Sequence, residues 1–543
     1  IDLYNIRVYD NDLNQYQMLD NFIGDLDDYD KALAIYNRNQ VYNDYGDITY
    51  QKVLERLPCL IFEGPLPTYK GDKKTNKVYF TDLQEPGRSF SCENVQNDVQ
   101  GTSSQYYPRK NWKFKFKADI TYTESGRTSP TYALRANSIP VNAFCVKADF
   151  AESSGTHNTG MAKVINSLLI EMGLTTPPQK TNKEVRTTVD GYPIAIFHRE
   201  TASDTLEFVG KYNFNNDKST AETFGFSDGD ESWEFSNNTS DRCLFKSADF
   251  SGTDWTNDFE SRYPDDDAIN AEYEAGTRKP EKLMAVTSWV VSTKDNLDKF
   301  KNEVRNHFNL DNLIAYYLIT ELFGMVDQRA KNMFLTYFHE EGKWIFIFYD
   351  NDTCFGLNNE GLIAFGYNIE YHDKIGTLNV WNGESSVLWN NLEKCFPSEI
   401  EAMYKDIRTR GLLSYDLIMS VLNGEQSDKW CEAIYNADGR FKYIDPLIEE
   451  GNGSYLYAAQ GSRIENRKWW TYNRFLYIDS KYTAGSFLSD FATLRLYTPR
   501  EWTGVSPSAN MTIIPYADQY TRVKYGSYMV GQRTYKDVPV LIE

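Results

Sequence analysis

Four polar side chains between residues 327 and 352 have the types and the spacing that phosphoryl-transfer chemistry needs. Asp327 is followed five residues later by Asn332, and Asp350 and Asp352 come after two further apolar runs. A carboxylate at the first position can orient a hydroxyl and accept its proton, while the later amide and carboxylate oxygens are hard ligands that suit magnesium. The pattern predicts Asp327 as a catalytic base and Asn332, Asp350 and Asp352 as metal ligands.

These residues also have a purely structural interpretation. Asp and Asn are common at the ends of hairpins because their side chains hydrogen-bond to the turn backbone. An Asp and an Asn at this spacing also occur together by chance. The pattern alone leaves both interpretations open.

The elements around the four residues are predicted from hydrophobic periodicity. An apolar helix is expected from Asp311 to Met325, with Asp311 at its N-cap and a glycine-containing turn at its end. Two β-type runs follow, 332–338 and 343–348, joined by a short connection of the hairpin type. The second run leads directly into Tyr349-Asp350-Asn351-Asp352.

Upstream segments carry residues that could contact the phosphates of a nucleotide. Residues 113–117 alternate Lys and Phe, which places the lysines on one strand face and the phenylalanines on the other. A glycine turn precedes this strand, and a second lysine lies on a short strand before a helix predicted at 156–172. The candidate cofactor-binding residues are Gly101, Ser103, Ser104, Lys115 and Lys147. The alternative for the first strand is a solvated face, because lysine commonly protects sheet edges.

Composition limits the classes of partner and chemistry. The formal net charge of −20 argues against nucleic acid as a partner, because neutralising phosphates needs a basic surface. The seven Cys include no C-x-x-C pair, so the sequence indicates no disulfide framework. With only five His as well, a zinc site is not indicated, and any metal would be held by carboxylates. No apolar run is long enough to span a membrane.

Pattern and composition divide the 543 residues into five segments and predict an α+β fold. Residues 59–220 are β-rich, 286–485 are mainly helical, and 221–285 read as a polar insertion or mobile surface loop. Residues 1–58 begin with a strand that is similar to the closing strand of a laminin-G or concanavalin-like β-sandwich and continue as a helical connector, and 486–543 are predicted to be an incomplete β module. Because the chain starts inside a predicted strand and stops without an obvious tail, we expect a processed product or a piece of a longer polypeptide.

The run from Asp327 to Gly356 resembles the signature of the CotH kinase family of atypical kinase-like proteins, through N-x-F-L-x-Y and G-K-W-x-F-I-x-x-Y-D-N-D-x-x-F-G. The segments 110–116 and 147–158 are similar to upstream parts of the family pattern. The resemblance implies a two-lobed kinase-like core that uses ATP and magnesium to phosphorylate a protein hydroxyl. In that core Asp327 would be the base, Asn332 and Asp350 would bind magnesium with Asp352 in support, and Lys115 or Lys147 would contact the phosphates.

The sequence departs from the family pattern at several positions. Tyr349 replaces the usual Trp, His157 stands where the family has Arg, and Asn215 or Asn216 where it has an acidic residue. His157 in place of Arg substitutes a mostly neutral imidazole for an always-charged guanidinium that can bind two oxygens at once. The missing carboxylate near position 215 removes a metal ligand or an ion-pair partner. The departures predict a catalytically impaired pseudokinase as the alternative to an active kinase.

The order of the segments resembles the multidomain tail proteins of bacteriophages. A laminin-G or concanavalin-like end, a helical connector, a CotH kinase-like core and a β module follow one another. This resemblance implies a structural component of a virion, a tail, tail-fibre or muzzle protein for assembly or host contact, located in the virion and extracellular when assembled. The implied partners are other tail proteins, further copies of the chain in a homo-oligomer, and host-surface carbohydrate or protein. An active atypical kinase and a secreted multidomain bacterial adhesin are the alternatives.

Overall fold

The computed structural model describes residues 48–101, 104–106, 109–149, 155–357, 366–370, 374–375, 378–379, 383–424, 434, 464–483, 493–497 and 510–514. The strands are β1 (Cys59–Glu63), β2 (Lys74–Thr81), β3 (Phe90–Gln100), β4 (Asn111–Phe116), β5 (Ile120–Tyr122), β6 (Thr128–Ser129), β7 (Ala143–Lys147), β8 (Gly191–Arg199), β9 (Glu207–Asn216), β10 (Glu231–Phe235), β11 (Phe259–Tyr263), β12 (Met333–Phe338), β13 (Lys343–Phe348), β14 (Lys374–Ile375), β15 (Leu378–Asn379), β16 (Thr493–Tyr497) and β17 (Asn510–Ile514). The helices are α1 (Tyr50–Leu54), α2 (His157–Glu171), α3 (Pro177–Thr181), α4 (Ala221–Phe224), α5 (Asp267–Glu274), α6 (Glu281–Ser292), α7 (Leu297–His307), α8 (Leu310–Phe323), α9 (Val387–Cys395), α10 (Pro397–Thr409), α11 (Tyr415–Gly424) and α12 (Ile464–Thr483).

Seven strands of the β-rich segment form a closed barrel in the order β2-β1-β8-β9-β7-β4-β3, with β3 pairing back to β2. All neighbours are antiparallel except β1 and β8. Alternation along β4 is as predicted, because Phe114 and Phe116 are buried while Lys113 and Lys115 are exposed. Aromatic rings from several strands fill the interior, and closure leaves the barrel without open edges.

A second sheet has the order β11-β10-β12-β13 and is antiparallel throughout. The predicted hairpin is confirmed as β12 and β13, with Met333 opposite Phe348. The segment 221–285 differs from the expected polar insertion, because it supplies β10 and β11 and buries Trp233 and Phe235. Further buried apolar residues of the segment, among them Phe250 and Trp255, lie outside these strands and also join the core, a contribution that the average polarity of the segment hides.

Helix α8 packs behind this sheet and is buried on nearly all sides, as expected for a helix that is apolar all round. It is capped by Asn309, whose side chain accepts a hydrogen bond from the Asn312 backbone N–H at 3.1 Å, so the predicted cap at Asp311 is two residues late. The helix ends at Gly324 in the left-handed conformation. Asn312 Oδ1 accepts from the Phe346 N–H at 2.8 Å and joins the helix to β13.

The C-terminal helix α12 is fixed to α8 by buried charges. Arg474 donates to the Glu321 carbonyl at 2.7 Å and pairs with the Glu321 carboxylate at 3.4 Å, and neither side chain is exposed. Arg329 contacts the same carboxylate at 3.3 Å. Because a buried carboxylate needs compensating charge, these contacts tie α12 to the helical part of the chain.

Several predictions concern segments that the structure describes in part or not at all. The expected sandwich strand near the N-terminus lies outside the described residues, and from 486 onward only the antiparallel pair β16 and β17 is described. Six cysteines in the described part of the chain are buried free thiols. Among the helices described, none is both long and apolar enough to cross a membrane.

Candidate active site

A buried ion pair joins the barrel to the hairpin. Strand β7 ends at Lys147, whose side chain is 5% exposed, and its ammonium forms an ion pair and hydrogen bond with Asp350 Oδ1, just after β13. The Lys147 Nζ atom also lies 5.0 Å from the centroid of the Tyr349 ring. The structure therefore brings together Lys147 and Asp350, two predicted site residues that come from different sheets.

Amide side chains hold a second carboxylate next to this pair. Asn158, in the first turn of α2, donates to Asp149 Oδ1 at 3.2 Å and to Asp350 Oδ1 at 3.1 Å. Asn213 on β9 donates to the other Asp149 oxygen. Asn158 Oδ1 also accepts from the Asn351 backbone N–H at 2.7 Å. One asparagine thus fixes the start of α2, the end of β7 and the loop after β13 relative to one another.

Three residues of the site have an unusual backbone conformation. Asp149, Asn332 and Asp350 have positive φ angles of 42°, 52° and 57°. Non-glycine residues adopt this region rarely, although Asp and Asn tolerate it best, and such positions cluster at functional sites. Gln328 helps to hold the loop, because its side-chain amide donates to the Asp350 carbonyl at 2.6 Å and to the Tyr349 carbonyl at 3.2 Å.

The predicted base and the predicted amide ligand are neighbours. Asn332 Nδ2 donates to Asp327 Oδ2 at 3.4 Å, and Asp327 is 3% exposed. The Asp327 carbonyl accepts from the Lys331 N–H at 3.0 Å, so a tight turn separates the two residues. A carboxylate in contact with an amide can orient a hydroxyl, which is the role that the pattern predicts.

The electrostatics of the site reflect an excess of negative charge. Although burial opposes its ionisation, the ammonium of Lys147 and the hydrogen bond from Asn158 hold the pKa of Asp350 below its usual value. Burial, followed by the charges of Asp350 and Asp149, raises the pKa of Asp352 well above its usual value. The carboxylates of the site therefore outnumber the cation of Lys147, and a further cation bound there would relieve the repulsion at Asp352.

The oxygen-bearing side chains of this site suit magnesium, which would be bound there by only a few protein oxygens. In the described ranges no three His, Cys, Asp or Glu residues form a ready-made metal site. Magnesium is commonly held by one or two carboxylates completed by water and substrate phosphates, so the absence of such a cage is compatible with it. Asp350, Asp352 and Asn332 supply the oxygen types required. The raised pKa of Asp352 supports the fit of the two carboxylates, whereas the described side-chain contact of Asn332 is with Asp327.

The structure separates the two candidate lysines. Lys115 is exposed on β4 opposite Gln96 and Ala143, and no described contact joins it to the carboxylates. Lys147 alone of the two contacts Asp350. The choice follows from barrel closure, because β7 pairs with both β4 and β9 and its end faces the hairpin.

The glycine turn lies beside the site. Gly101 has a φ of +112°, and the Ser104 hydroxyl accepts from Asn111 Nδ2 at 3.3 Å, while Ser103 lies outside the described residues. Asn111 Oδ1 in turn accepts from the Ala148 N–H at 2.7 Å. Gln100, the last residue of β3, donates to the Tyr349 hydroxyl at 3.2 Å. The turn is therefore connected to both halves of the Lys147–Asp350 pair.

The departures from the family pattern have local structural explanations. His157 is fully buried, with its ring edge-on to Phe355 at 4.9 Å, so it belongs to the core. Asn215 and Asn216 lie in β9 opposite Cys145 and Phe144, and neither contacts the carboxylates. Lys218, two residues beyond, places a second ammonium 4.8 Å from the centroid of the Tyr349 ring.

Sequence reasoning gave no role to Asp149, Asn158, Lys218 or Gln328. Asp149 and Asn158 lie close in sequence to Lys147, inside the segment 147–158 that is similar to the family pattern, and this proximity is the sequence signal that could have identified them. Lys218 and Gln328 carry no motif and are brought to the site by strand pairing and by the turn after α8.

Comparison with known proteins gives one result for this part of the chain. Residues 216–414 match the family model described as CotH kinase protein. Over this range the chain is similar to that family, and the range contains the second sheet and the pattern from Asp327 to Asp352. The matched range begins after Lys147 and Asp149. No curated protein matches the chain. The match does not bear on the bacteriophage-tail resemblance, which stays a prediction from the sequence.

Proposed function

We propose that the chain is a phosphoryl transferase of the CotH kinase type, which uses ATP and magnesium to modify a hydroxyl of a protein. The observation that carries the proposal is the buried Lys147–Asp350 pair, with Asp149, Asp352 and Asn158 around it. In this two-lobed interpretation, the barrel contributes the lysine and the domain at 216–414 contributes the carboxylates. A buried cation beside a carboxylate group is the arrangement that positions nucleotide phosphates.

Each residue of the site has a role that its surroundings support. Lys147 binds a phosphate oxygen, with its charge maintained because the carboxylates of Asp350 and its neighbours raise its pKa although burial would lower it. Asp327 orients the acceptor hydroxyl and takes its proton. Asp350, Asp352 and Asn332 would hold magnesium, which when bound neutralises the charge of the phosphates.

The first test is calorimetric titration with ATP and magnesium. We expect binding by the wild type, loss of binding by Asp350→Ala and Lys147→Ala, and wild-type binding by Lys115→Ala, the matched lysine on the exposed face of β4. Circular dichroism of each variant separates loss of binding from loss of fold. Equal effects of the two lysine substitutions, or a wild type that binds no nucleotide, would overturn the proposal.

The second test separates an active kinase from a pseudokinase. Transfer of radiolabelled phosphate to the chain itself, or to a protein acceptor, is measured for the wild type and for Asp327→Asn. We expect the variant to keep nucleotide binding and to lose transfer, because Asp327 acts on the acceptor rather than on the nucleotide. Nucleotide binding without transfer in the wild type would assign the site to a pseudokinase.

A further inference from the structure

Lysine side chains form a row along the outer face of strand β4. Lys113 and Lys115 are exposed on this strand. Lys117, directly after the strand, is exposed as well and stays in the ladder, because its backbone N–H donates to the Asn94 carbonyl at 2.9 Å. Side chains two residues apart on a strand stand about 6.5 Å apart. The lysine row, Lys113, Lys115 and Lys117, therefore presents ammonium groups to solvent at regular intervals.

Protection of a sheet edge does not explain the lysine row. Strand β4 pairs with β3 on one side and with β7 on the other, within the closed barrel. Lysine on an edge strand prevents pairing with another chain, whereas a strand that is paired on both sides needs no such protection. Barrel closure thus removes the structural explanation that the sequence pattern suggests for these residues.

The strands beside the lysine row do not neutralise its charge. Lys115 lies opposite Gln96 on β3 and Ala143 on β7. The carboxylate opposite Lys113 belongs to Asp98, which is 7% exposed and accepts a hydrogen bond from a loop backbone. Among the described residues the row forms no ion pair, whereas two lysines of β2 do. Because cross-strand pairs of opposite charge are what stabilises a sheet face, the row makes no such contribution to the barrel.

An exposed aromatic side chain lies beside the start of the lysine row. Tyr69 is 64% exposed. Its loop is fixed to the barrel on one side by the Trp112 indole N–H, which donates to the Pro67 carbonyl at 3.0 Å. On the other side the Gly71 N–H donates to Asp98 at 2.8 Å. Tyrosine is enriched at protein interfaces because it combines an apolar ring with a hydroxyl group, so the loop holds an interface-type residue next to the row.

We propose that the face formed by the lysine row and Tyr69 binds an extended acidic peptide segment of a partner protein. Alternate side chains of an extended peptide point to one side and stand about 6.5 Å apart, so carboxylates at these positions match the ammonium groups of the row. The ring of Tyr69 packs against an apolar residue beside the acidic run. Charge complementarity directs the segment to this face, because the chain as a whole has a net charge of −20 and repels an acidic partner elsewhere.

A single-stranded nucleic acid also carries regularly spaced negative charges, but it fits this face less well. Proteins that bind single strands combine cations with aromatic side chains on which the bases stack. The aromatic residues of β4, Phe114 and Phe116, are buried inside the barrel, and the row is flanked by Gln96 and Ala143. The face therefore suits the carboxylates of a peptide better than stacked bases.

The lysine row begins near the candidate active site. Lys113 lies opposite Cys145 on β7, and Lys147 follows Cys145 on the same face of that strand. A bound acidic segment would therefore lie close to the Lys147–Asp350 pair. Its binding needs no nucleotide and does not rest on the proposed phosphoryl transfer.

The test is fluorescence anisotropy with labelled peptides at low ionic strength and without nucleotide. In the acidic probe glutamate alternates with threonine, and leucine stands at both ends. A second probe has the same composition with its glutamates adjacent, and a third has glutamine in place of glutamate. We expect the acidic probe to bind, the second to bind about threefold more weakly, and the third to bind at least about tenfold more weakly, because it lacks all the charge contacts.

Variants of equal charge separate this face from the charge of the whole chain. Binding of the acidic probe should weaken about tenfold in a triple variant that removes the row, because several exposed charge contacts are lost together: Lys113→Gln, Lys115→Gln and Lys117→Gln. Binding should stay as in the wild type when exposed lysines elsewhere are changed in the same way: Lys183→Gln, Lys294→Gln and Lys301→Gln. Circular dichroism confirms that each variant is folded.

The contribution of the aromatic residue is tested separately. Tyr69→Ala should weaken binding about threefold, whereas Leu83→Ala, at another exposed apolar side chain, should bind like the wild type. Equal effects of the two triple variants or of these two single variants, equal binding of the acidic and glutamine probes, or no binding of any probe would overturn the proposal. Equal binding of the two glutamate probes would overturn the extended conformation of the segment, and oligothymidylate that binds as tightly as the acidic probe would overturn the peptide source.

Discussion

The ion pair between Lys147 and Asp350 allows a quantitative prediction for Lys147→Met. The lysine side chain is 5% exposed and the aspartate side chain 23%, so the pair is buried at one end and partly hydrated at the other. Removing one partner of a fully buried pair costs about 3–5 kcal/mol. Because Asp350 keeps some water and the hydrogen bond from Asn158, we expect a loss of about 2–3 kcal/mol for the lysine substitution.

The assay is urea unfolding followed by tryptophan fluorescence, for Lys147→Met, Asp350→Asn and the double variant. The double-mutant cycle isolates the interaction, and we expect a coupling energy of about 2 kcal/mol. Lys115→Met on the exposed face of β4 is the matched control and should change stability by less than about 0.5 kcal/mol. A coupling energy below about 0.5 kcal/mol would contradict this prediction, because exposed salt bridges contribute that little.

The pH dependence of the coupling follows from the directions of the two shifts. The folded state lowers the pKa of Asp350 from 3.8, so its contribution is present above that pH and is lost on acidification through the lowered value. The folded state raises the pKa of Lys147 from 10.5, so its contribution is present below that pH and is lost on alkalinisation through the raised value. The coupling energy should therefore be constant from about pH 5 to 10.

Three further predictions concern other parts of the structure. Asp352→Asn should raise the melting temperature at pH 8 and raise it less at pH 5. The pKa of Asp352 is raised in the folded state, so its ionisation destabilises the fold as pH rises. A variant less stable than the wild type at pH 8 would contradict this prediction. Arg474→Met should cost about 3–5 kcal/mol and speed proteolysis at α12, because it removes the buried guanidinium that donates to the Glu321 and Ile369 carbonyls and pairs with the Glu321 carboxylate. Arg410→Met, in an exposed pair, should cost less than about 1 kcal/mol. Gly191→Ala should lower stability by about 1–3 kcal/mol, because the added Cβ would lie 2.5 Å from the Phe214 carbonyl oxygen. The control Gly87→Ala should be close to neutral, because its Cβ would lie 3.6 Å from the nearest atom, Oε2 of Glu124. Thermal melts of the two glycine variants decide the last prediction, and equal losses would refute it.

The hairpin and its flanking carboxylates could be predicted from sequence because the signals are local. Alternation along 333–338 and 343–348 determines the strand faces, and the turn between them is a few residues long. Asp350 and Asp352 follow the second strand directly, so their position at its end needed no tertiary information. The same local rule predicted that Lys115 faces away from the phenylalanines of β4.

The segment 221–285 shows where local composition misleads. Its many Asp, Ser, Asn and Gly residues predict a surface loop, yet β10 pairs with β12 over five positions and buries Trp233 and Phe235. Polar turn residues dominate the average composition, whereas buried aromatic residues in the strands and between them contribute to the core. Strand β10 lies between β11, from the same segment, and β12, which begins about a hundred residues later at Met333, and this distant pairing joins the segment to the hairpin.

The sequence by itself determined the chemistry that is available: a base and an amide at a fixed spacing, two carboxylates after a strand, and two candidate lysines. The tertiary structure decided which of these meet. Lys147 and Asp350 are separated by 203 positions, and they touch because the barrel closes and the hairpin packs against its end. Local periodicity determines which face a side chain occupies, whereas contacts between distant segments depend on sheet closure and packing that no local pattern encodes.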